Sequence, residues 1–480
     1  MQRYMTLCIS VILIAAGGSL IRAEAVPAFP GAEGFGANAQ GGRGGRVIAV
    51  TNLNDRGVGS LRACVEDQSP RTCVFRVAGH ITVKQRIEIR HPYITIAGQT
   101  APGDGITLRI DPSNDQGPLS VKTHDVIIRY LRFRPGNGSH PPIAGETNTN
   151  IDAITIGNSE AANQVYNVMI DHCSFSWATD ENVNIWNDTR DLTMQWNIIS
   201  EALHCVAGNA ECHSKGLLIA SKGSKRISIH HNLLAHNVGR NPLIKSSGTI
   251  DLVNNVIHVP YHIAGAVDDA YGPFNSNWVG NYLQANSEIA YGVWDLNTSS
   301  SCGTKFYLKN NIDIRHKPSL SDPESRFVHP ANYGRNCIVS SQFDAASVTT
   351  TSPFQAFDEV LAGAGATLPT RDAIDKRVIN EVKNQEYRVV DDPAQVGGWP
   401  AVASVSPAAD TDHDGMADSW ELTHFGTLAR GSSSDSSGDF DGDGYTDLEE
   451  YLNGTDPTNP NNNRGSIVKS FPPTNLRIIP

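Results

Sequence analysis

Two stretches near the C-terminus have the residue types and the spacing to hold a divalent cation. Asp410, Asp412, Asp414, Gly415, Asp418 and Glu421 occupy positions 1, 3, 5, 6, 9 and 12 of a loop. Asp439, Asp441, Asp443, Gly444, Asp447 and Glu450 repeat that spacing 29 residues later. Alternating carboxylates converge on one ion, the glycine allows the sharp turn, and the terminal glutamate offers two oxygens, a donor set suited to calcium. A solvated acidic linker has no reason to keep both spacing and glycine twice. The loops read as structural sites, not catalytic ones. No zinc-ligand spacing, phosphate loop or Gly-x-Ser-x-Gly nucleophile motif is present. His172, His230 and His231 lie within strand-like runs, so they are expected to stack along the fold.

The elements that must carry any chemistry are short strands. From about Val47 to Ile314 the chain alternates β-branched runs with Asn, Gly, Asp and Ser. The runs VIIRYLRF (126–133), VMIDHCSF (168–175), LTMQWNII (192–199), ISIHHNLL (227–234), IDLVNNVI (250–257) and FYLKNNIDI (306–314) resemble one another. Most alternate apolar residues, then place a polar pair, then return to apolar residues. Their irregular spacing of two to four dozen residues suits the coils of a solenoid. A β-sandwich shares much of this pattern. The recurring Asn197, Asn232, Asn255 and Asn311 favour a parallel β-helix, because an Asn in left-handed geometry turns a strand and stacked copies form a ladder.

The chain's ends and cysteines point to export. Arg3, the apolar stretch Leu7–Leu20 and Ala23-Glu24-Ala25 before Val26 read as a secretory signal over residues 1–25. Beyond Cys8 there are seven cysteines. Proximity pairs Cys64 with Cys73, Cys205 with Cys212 and Cys302 with Cys337, leaving Cys173 as a buried free thiol. Residues 401–464 hold ten Asp and three Glu against two Arg, most of the chain's formal charge of −12. The preceding 400 residues are close to neutral, which argues against nucleic acid as a partner.

The segments GAEGFGANAQGGRGG (31–45), VTNLNDRGVGSLR (50–62), TIAGQTAPGDGI (95–106), DHCSFSWATDENV (171–183) and Arg240–Lys245 resemble the pectate lyases of polysaccharide lyase family 1. The resemblance spans about residues 26–400. It implies an all-β, right-handed parallel β-helix and calcium-assisted β-elimination of polygalacturonate, with an acidic plant cell-wall polysaccharide as partner. By the same resemblance Asp152 and Asn150 match one side of a calcium site, and Asp180 and Asn184 the other. Asn150 and Asn184 stand where the family commonly has carboxylates. Two fewer charges weaken the site in the absence of substrate, and Glu181 is a neighbour able to compensate. Arg240 matches the catalytic base. Lys215 and Lys245 match residues that grip substrate carboxylates, the second often being Arg in the family. The acidic loops resemble thrombospondin type 3 and dockerin-like calcium repeats.

These readings divide the chain into a signal peptide (1–25), a β-helix lyase domain (26–345), its C-terminal flank (346–400), calcium-binding repeats (401–464) and a tail (465–480). Helical character is expected over Thr370–Gln385. The protein is expected to be a secreted monomer, extracellular or periplasmic, with Ca2+ as cofactor and no nucleic-acid or membrane partner. Three other functions share parts of this sequence. A pectin lyase acting on methyl-esterified pectin dispenses with calcium. A polygalacturonase-like hydrolase needs clustered carboxylates, for which Asp268-Asp269 is the only adjacent aspartate pair in the helix region. A non-catalytic carbohydrate-binding β-helix does not need Arg240, Lys215 and Lys245 together.

Overall fold

The computed structural model describes residues 26–138, 150–160, 164–260, 263–295, 302–331, 333–428 and 435–461. The signal segment 1–25 and the tail 465–480 lie outside the described residues. Among the described residues the strands form three sheets of eleven, eight and nine strands, each built from every third strand along most of the chain. All the strand pairings are parallel, as in Val168–Asp171 on Val126–Arg129 and Ile154–Ile156 on Glu181–Trp186. One strand from each sheet makes a coil, and the coils stack into a parallel β-helix with the right-handed crossover that parallel connections follow.

Register explains the core. Ile96, Ile128, Ile170, Met194, Ile229, Leu252 and Trp278 are successive partners in the long sheet, and all are buried. Period-two alternation thus becomes an apolar row along the axis, one rung per coil. The six similar runs each cross a corner from the eleven-stranded sheet into the nine-stranded one. A seventh, Phe274–Val279 into Tyr282–Ala285, escaped the pattern because Gly280-Asn281 replaces the polar pair.

The ladder exists, but its asparagines are not the left-handed residues. The residue before each rung takes that conformation: His172, Trp196, His231, Asn254, Gly280 and Asn310, with φ from +49° to +65°. The rung residue then points inward. Asn197 Nδ2 donates to Asn232 Oδ1 (2.9 Å), Asn232 to Asn255 (3.1 Å), Asn255 to Asn281 (3.0 Å) and Asn281 to Asn311 (3.0 Å). Each Oδ1 also accepts the backbone N–H of the preceding rung, so buried corners are fully bonded where the strand pattern breaks. Cys173 takes the rung before Asn197. Its N–H donates to Asn197 Oδ1 (2.8 Å), and its thiol faces the Ile128 carbonyl. His172 and His231 stack as expected, either side of Trp196 (6.0 and 4.5 Å).

The three proximity pairs of cysteines are disulfides, and Cys173 is free and buried. Helices Pro353–Gly363 and Ala373–Lys383 cover the nine-stranded sheet, packing Val360, Leu361, Val378 and Val382 on Ile198, Leu233 and Val256. The second lies within the stretch expected to be helical. Arg134 anchors it, pairing with Asp372 and with Asp375 (2.7 Å), and Asp375 is wholly buried. No described helix is long and apolar enough to cross a membrane.

Replacing Asn255 with Ala is expected to cost about 1–3 kcal/mol for each buried group left without a partner. Cys173→Asn is expected to be neutral or stabilising, since the new amide would meet the Ile128 carbonyl and Asn197. Denaturant unfolding checks both, and equal effects from the two changes would remove the ladder as a source of stability.

Candidate active site

The eight-stranded sheet brings the candidate site residues together. Its strands Ile154–Ile156, Glu181–Trp186, Lys215–Ala220 and Leu243–Lys245 are neighbours in that order. Register aligns Glu181 with Lys215 and Ala220 with Lys245. Residues some thirty apart in sequence are thereby set about 4.8 Å apart across the sheet.

Asp152, Asp180 and Glu181 bring carboxylate oxygens within 4.8 Å of one another. Asp152 is held in place: Thr155 Oγ1 donates to Oδ2 (2.9 Å), Asn184 Nδ2 donates to the same atom (3.0 Å), and the Glu181 N–H donates to Oδ1 (3.3 Å). The amide oxygen of Asn184 is buried without a hydrogen-bond partner. A cation fits this donor set, since a buried amide oxygen is left without a partner on a residue bonded to one of three converging carboxylates. Burial, then the Asp180 carboxylate, pushes the Asp152 carboxyl well above its ordinary range. Asn150 is exposed, two residues before Asp152.

Arg240 enters from the second coil beyond Glu181, just before strand Leu243–Lys245. It sits in the left-handed region (φ +58°), its carbonyl accepts from the Leu217 N–H (2.6 Å), and its Nη1 pairs with Glu181 Oε1. Behind it a buried amide chain runs from Asn182 through Asn237 (3.2 Å) to Asn241 (3.1 Å) and fixes the loop. Burial lowers the Arg240 pKa, against the opposing pull of Asp180 and Asp152. Lys215 is lowered by burial too, with Asp180 and Glu211 acting the other way. Lys245 pairs with Asp268 Oδ2 (3.0 Å) and lies over the Tyr271 ring.

Sequence reasoning missed one pairing and two neighbours. Glu181 is the direct partner of Arg240 and not merely a compensating charge. His213 Nδ1 lies 3.5 Å from Asp180 Oδ1, at the end of a loop closed by Cys205–Cys212. Arg86 reaches across the sheet to Thr155 Oγ1 (3.3 Å) and draws the Asp152 pKa down. His213 and Arg86 have no local sequence signal, because each is brought in from another coil or loop.

In the acidic repeats, each loop leads into a short helix, Asp418–Phe425 or Asp447–Asn453. Asp410, Asp412 and Asp414 converge, as do Asp439, Asp441 and Asp443. Asp410 Oδ1, both Asp412 oxygens, Asp414 Oδ2, Asp441 Oδ2 and Glu450 Oε2 are buried without hydrogen-bond partners, which fits a cation in each loop. Asp418 and Asp447 instead accept from the Thr411 and Phe440 N–H groups. Glu421 closes the first loop as Glu450 closes the second.

The bacterial TSP3 repeat family matches residues 410–427 and 439–460. A probable pectate lyase C of Aspergillus fumigatus is 35% identical over 441 residues, covering 90% of this chain and 95% of its own. This chain is a pectate lyase family member. A second probable pectate lyase C, of Aspergillus flavus, is 34% identical over 442 residues, covering 91% of this chain and 95% of its own. A solved pectate lyase bound to a hexasaccharide aligns with a TM-score of 0.49 at 14% identity, covering 72% of this chain and 99% of that one. The pectate lyase is thus a polysaccharide lyase on a parallel β-helix with TSP3 repeats at its C-terminus. Its family and its repeats are both associated with calcium.

Two outcomes follow from this geometry. A Cβ on Gly216 would lie 2.8 Å from the Arg240 carbonyl oxygen and 2.7 Å from Asn241 Oδ1. Gly216→Ala is therefore expected to lower kcat in a protein with an unchanged circular dichroism spectrum. Burial, then neighbouring carboxylates, pushes Asp414 and Glu421 up to about 7 and Glu450 up to about 8. Protons held near neutrality must leave as calcium enters, so calcium affinity of the repeats should rise from about pH 6 to about pH 9 and then level. Titration calorimetry in buffers of different ionisation enthalpy checks this, and proton release should shrink as pH rises.

Proposed function

We propose that the enzyme is a secreted pectate lyase that cleaves α-1,4-polygalacturonate by β-elimination, leaving 4,5-unsaturated oligogalacturonates. The observation that carries this reading is Arg240, half-buried and paired with Glu181, at the edge of the Asp152/Asp180/Glu181 cluster. The proton beside a uronate carboxylate is weakly acidic because its neighbour is already negative. Calcium held by Asp152, Asp180, Glu181 and the Asn184 amide oxygen, with Asn150 as a further candidate ligand, neutralises that carboxylate and makes the carbanion-like state tolerable.

Arg240 is the base. Burial already favours its neutral form, and the Asp180 and Asp152 charges that oppose this are offset when the cluster's carboxylates are neutralised. Lys215 and Lys245 hold substrate carboxylates from the two coils that follow the cluster, with Lys245 exchanging its Asp268 partner for substrate. A cluster of converging carboxylates supports unesterified pectate over methyl-esterified pectin, since a neutral ester gives a cation nothing to neutralise. The hydrolase alternative loses support because Asp268 already pairs with Lys245, so the Asp268-Asp269 pair is not a free acid–base couple. Three disulfides support an oxidising destination. We read residues 26–345 with the 346–400 flank as the catalytic unit and 401–464 as the repeat unit, acting as a monomer on acidic cell-wall polysaccharide, without nucleic-acid or membrane partners.

The test follows the ultraviolet absorbance of the unsaturated product on polygalacturonate and on methylated pectin. Chelator should abolish cleavage of polygalacturonate and calcium should restore it. Arg240→Lys should lower kcat by about 10²–10⁴ with KM little changed, because a lysine keeps the charge but not the placement of the nitrogen. Full activity in excess chelator, or an Arg240→Lys enzyme that only binds more weakly, would sink this assignment.

A further inference from the structure

The calcium repeats do not stand apart from the β-helix. Three arginines on its first coils reach into them. Arg43, just before strand Arg46–Val50, donates from Nε to both Glu449 oxygens (2.8 and 2.9 Å) and from Nη2 to the Pro27 carbonyl (2.7 Å). Its guanidinium also lies 5.2 Å from the Tyr445 ring centroid. Arg76, just after strand Arg71–Phe75, donates to the Ala408 carbonyl (2.6 Å) and pairs with Asp410 Oδ2 (3.4 Å). Arg129 bridges Asp171 and Asn453, both at 2.7 Å.

Two of the contacts fall on or beside an expected calcium-ligand position, Asp410 and Glu450, and the third falls at the end of the helix that follows the second loop. Asp410 opens the first loop: one oxygen faces Arg76, and the other is buried with no hydrogen-bond partner. Glu449 precedes Glu450, which closes the second loop, and Asn453 ends the same short helix. The turn glycines rest directly on the body. A Cβ on Gly415 would lie 2.8 Å from Val47, and one on Gly444 would lie 2.7 Å from Val26.

We propose that this face of the first coils is the docking surface of the repeat unit, and that calcium binding in the two loops and seating of the unit are one coupled event. The inference rests on the calcium reading of the repeats and not on the lyase chemistry. Without the cation, the buried carboxylates of each loop repel one another. Relief by opening the loop swings the following helix and draws Glu449 and Asn453 off Arg43 and Arg129. With it, the loops hold the arginine partners in register and clamp the end of the solenoid, where coils otherwise fray. Coupling is reciprocal, so loss of the arginines weakens calcium binding just as loss of calcium loosens the coils.

Amide hydrogen exchange on the full chain, with bound calcium counted by equilibrium dialysis, tests the proposal. Glu421→Gln/Glu450→Gln spares Asp152 and Asp180, so it separates the repeats from the lyase site. This variant should bind two fewer ions and exchange at least about tenfold faster in strands 46–50 and 71–75, with strands 227–230 and 250–253 unchanged. Arg43→Ala/Arg76→Ala keeps every calcium ligand and should weaken the repeats' calcium affinity about five- to tenfold. Loss of two ions with unchanged exchange in the first coils would overturn the coupling. An unchanged ion count in the glutamine variant would overturn the calcium reading beneath it, and neither result bears on Arg240.

Discussion

In-register stacking of parallel coils is the constraint on which the rest of this molecule depends. Each strand satisfies its backbone by pairing with the same position one coil earlier and one coil later, so any row of the sheet is a column of residues from distant parts of the sequence. An apolar column becomes core, and an Asn column becomes the ladder from Asn197 to Asn311. The column through Asp152, Glu181 and Lys215 becomes the candidate active site. Because a one-residue slip would invert every side chain, core packing and site geometry are enforced by the same register.

The site is a balance of unlike charges on that rigid surface. Three carboxylates converge, with Arg240 paired to Glu181 and with Lys215, His213 and Arg86 at their border. Such an arrangement is poor for stability and suited to a cation with an anionic substrate, whose arrival completes the charge balance. The buried amides Asn182, Asn237 and Asn241 hold the Arg240 loop from behind, so the strained φ of Arg240 is supported by neutral hydrogen bonds, not by competing charges.

The two classes of acidic site differ for a physical reason. In the repeats the ligands come from one loop and the helix that follows, so spacing along the chain suffices to define them. In the lyase site the ligands come from successive coils, so no spacing rule describes them. The same distinction separates the disulfides, local in sequence and found by proximity, from ion pairs such as Arg43–Glu449, which join the two ends of the chain.

Much was therefore legible from the sequence alone. Strand alternation and repeated Asn-bearing corners determined the β-helix, loop spacing determined the calcium repeats, and motif resemblance pointed to Arg240, Asp152 and Asp180 as candidates. Tertiary structure alone decided which residue of each corner is left-handed, because Asn254-Asn255 and Asn310-Asn311 look alike within each pair. It also decided that Gly280-Asn281 is a rung, that Glu181 pairs with Arg240, and that His213 and Arg86 border the carboxylates. The seating of the repeats on Arg43, Arg76 and Arg129 belongs to the same class. These are contacts between coils or between chain ends, and local sequence encodes the shape of one coil but not which residue of the next will lie against it.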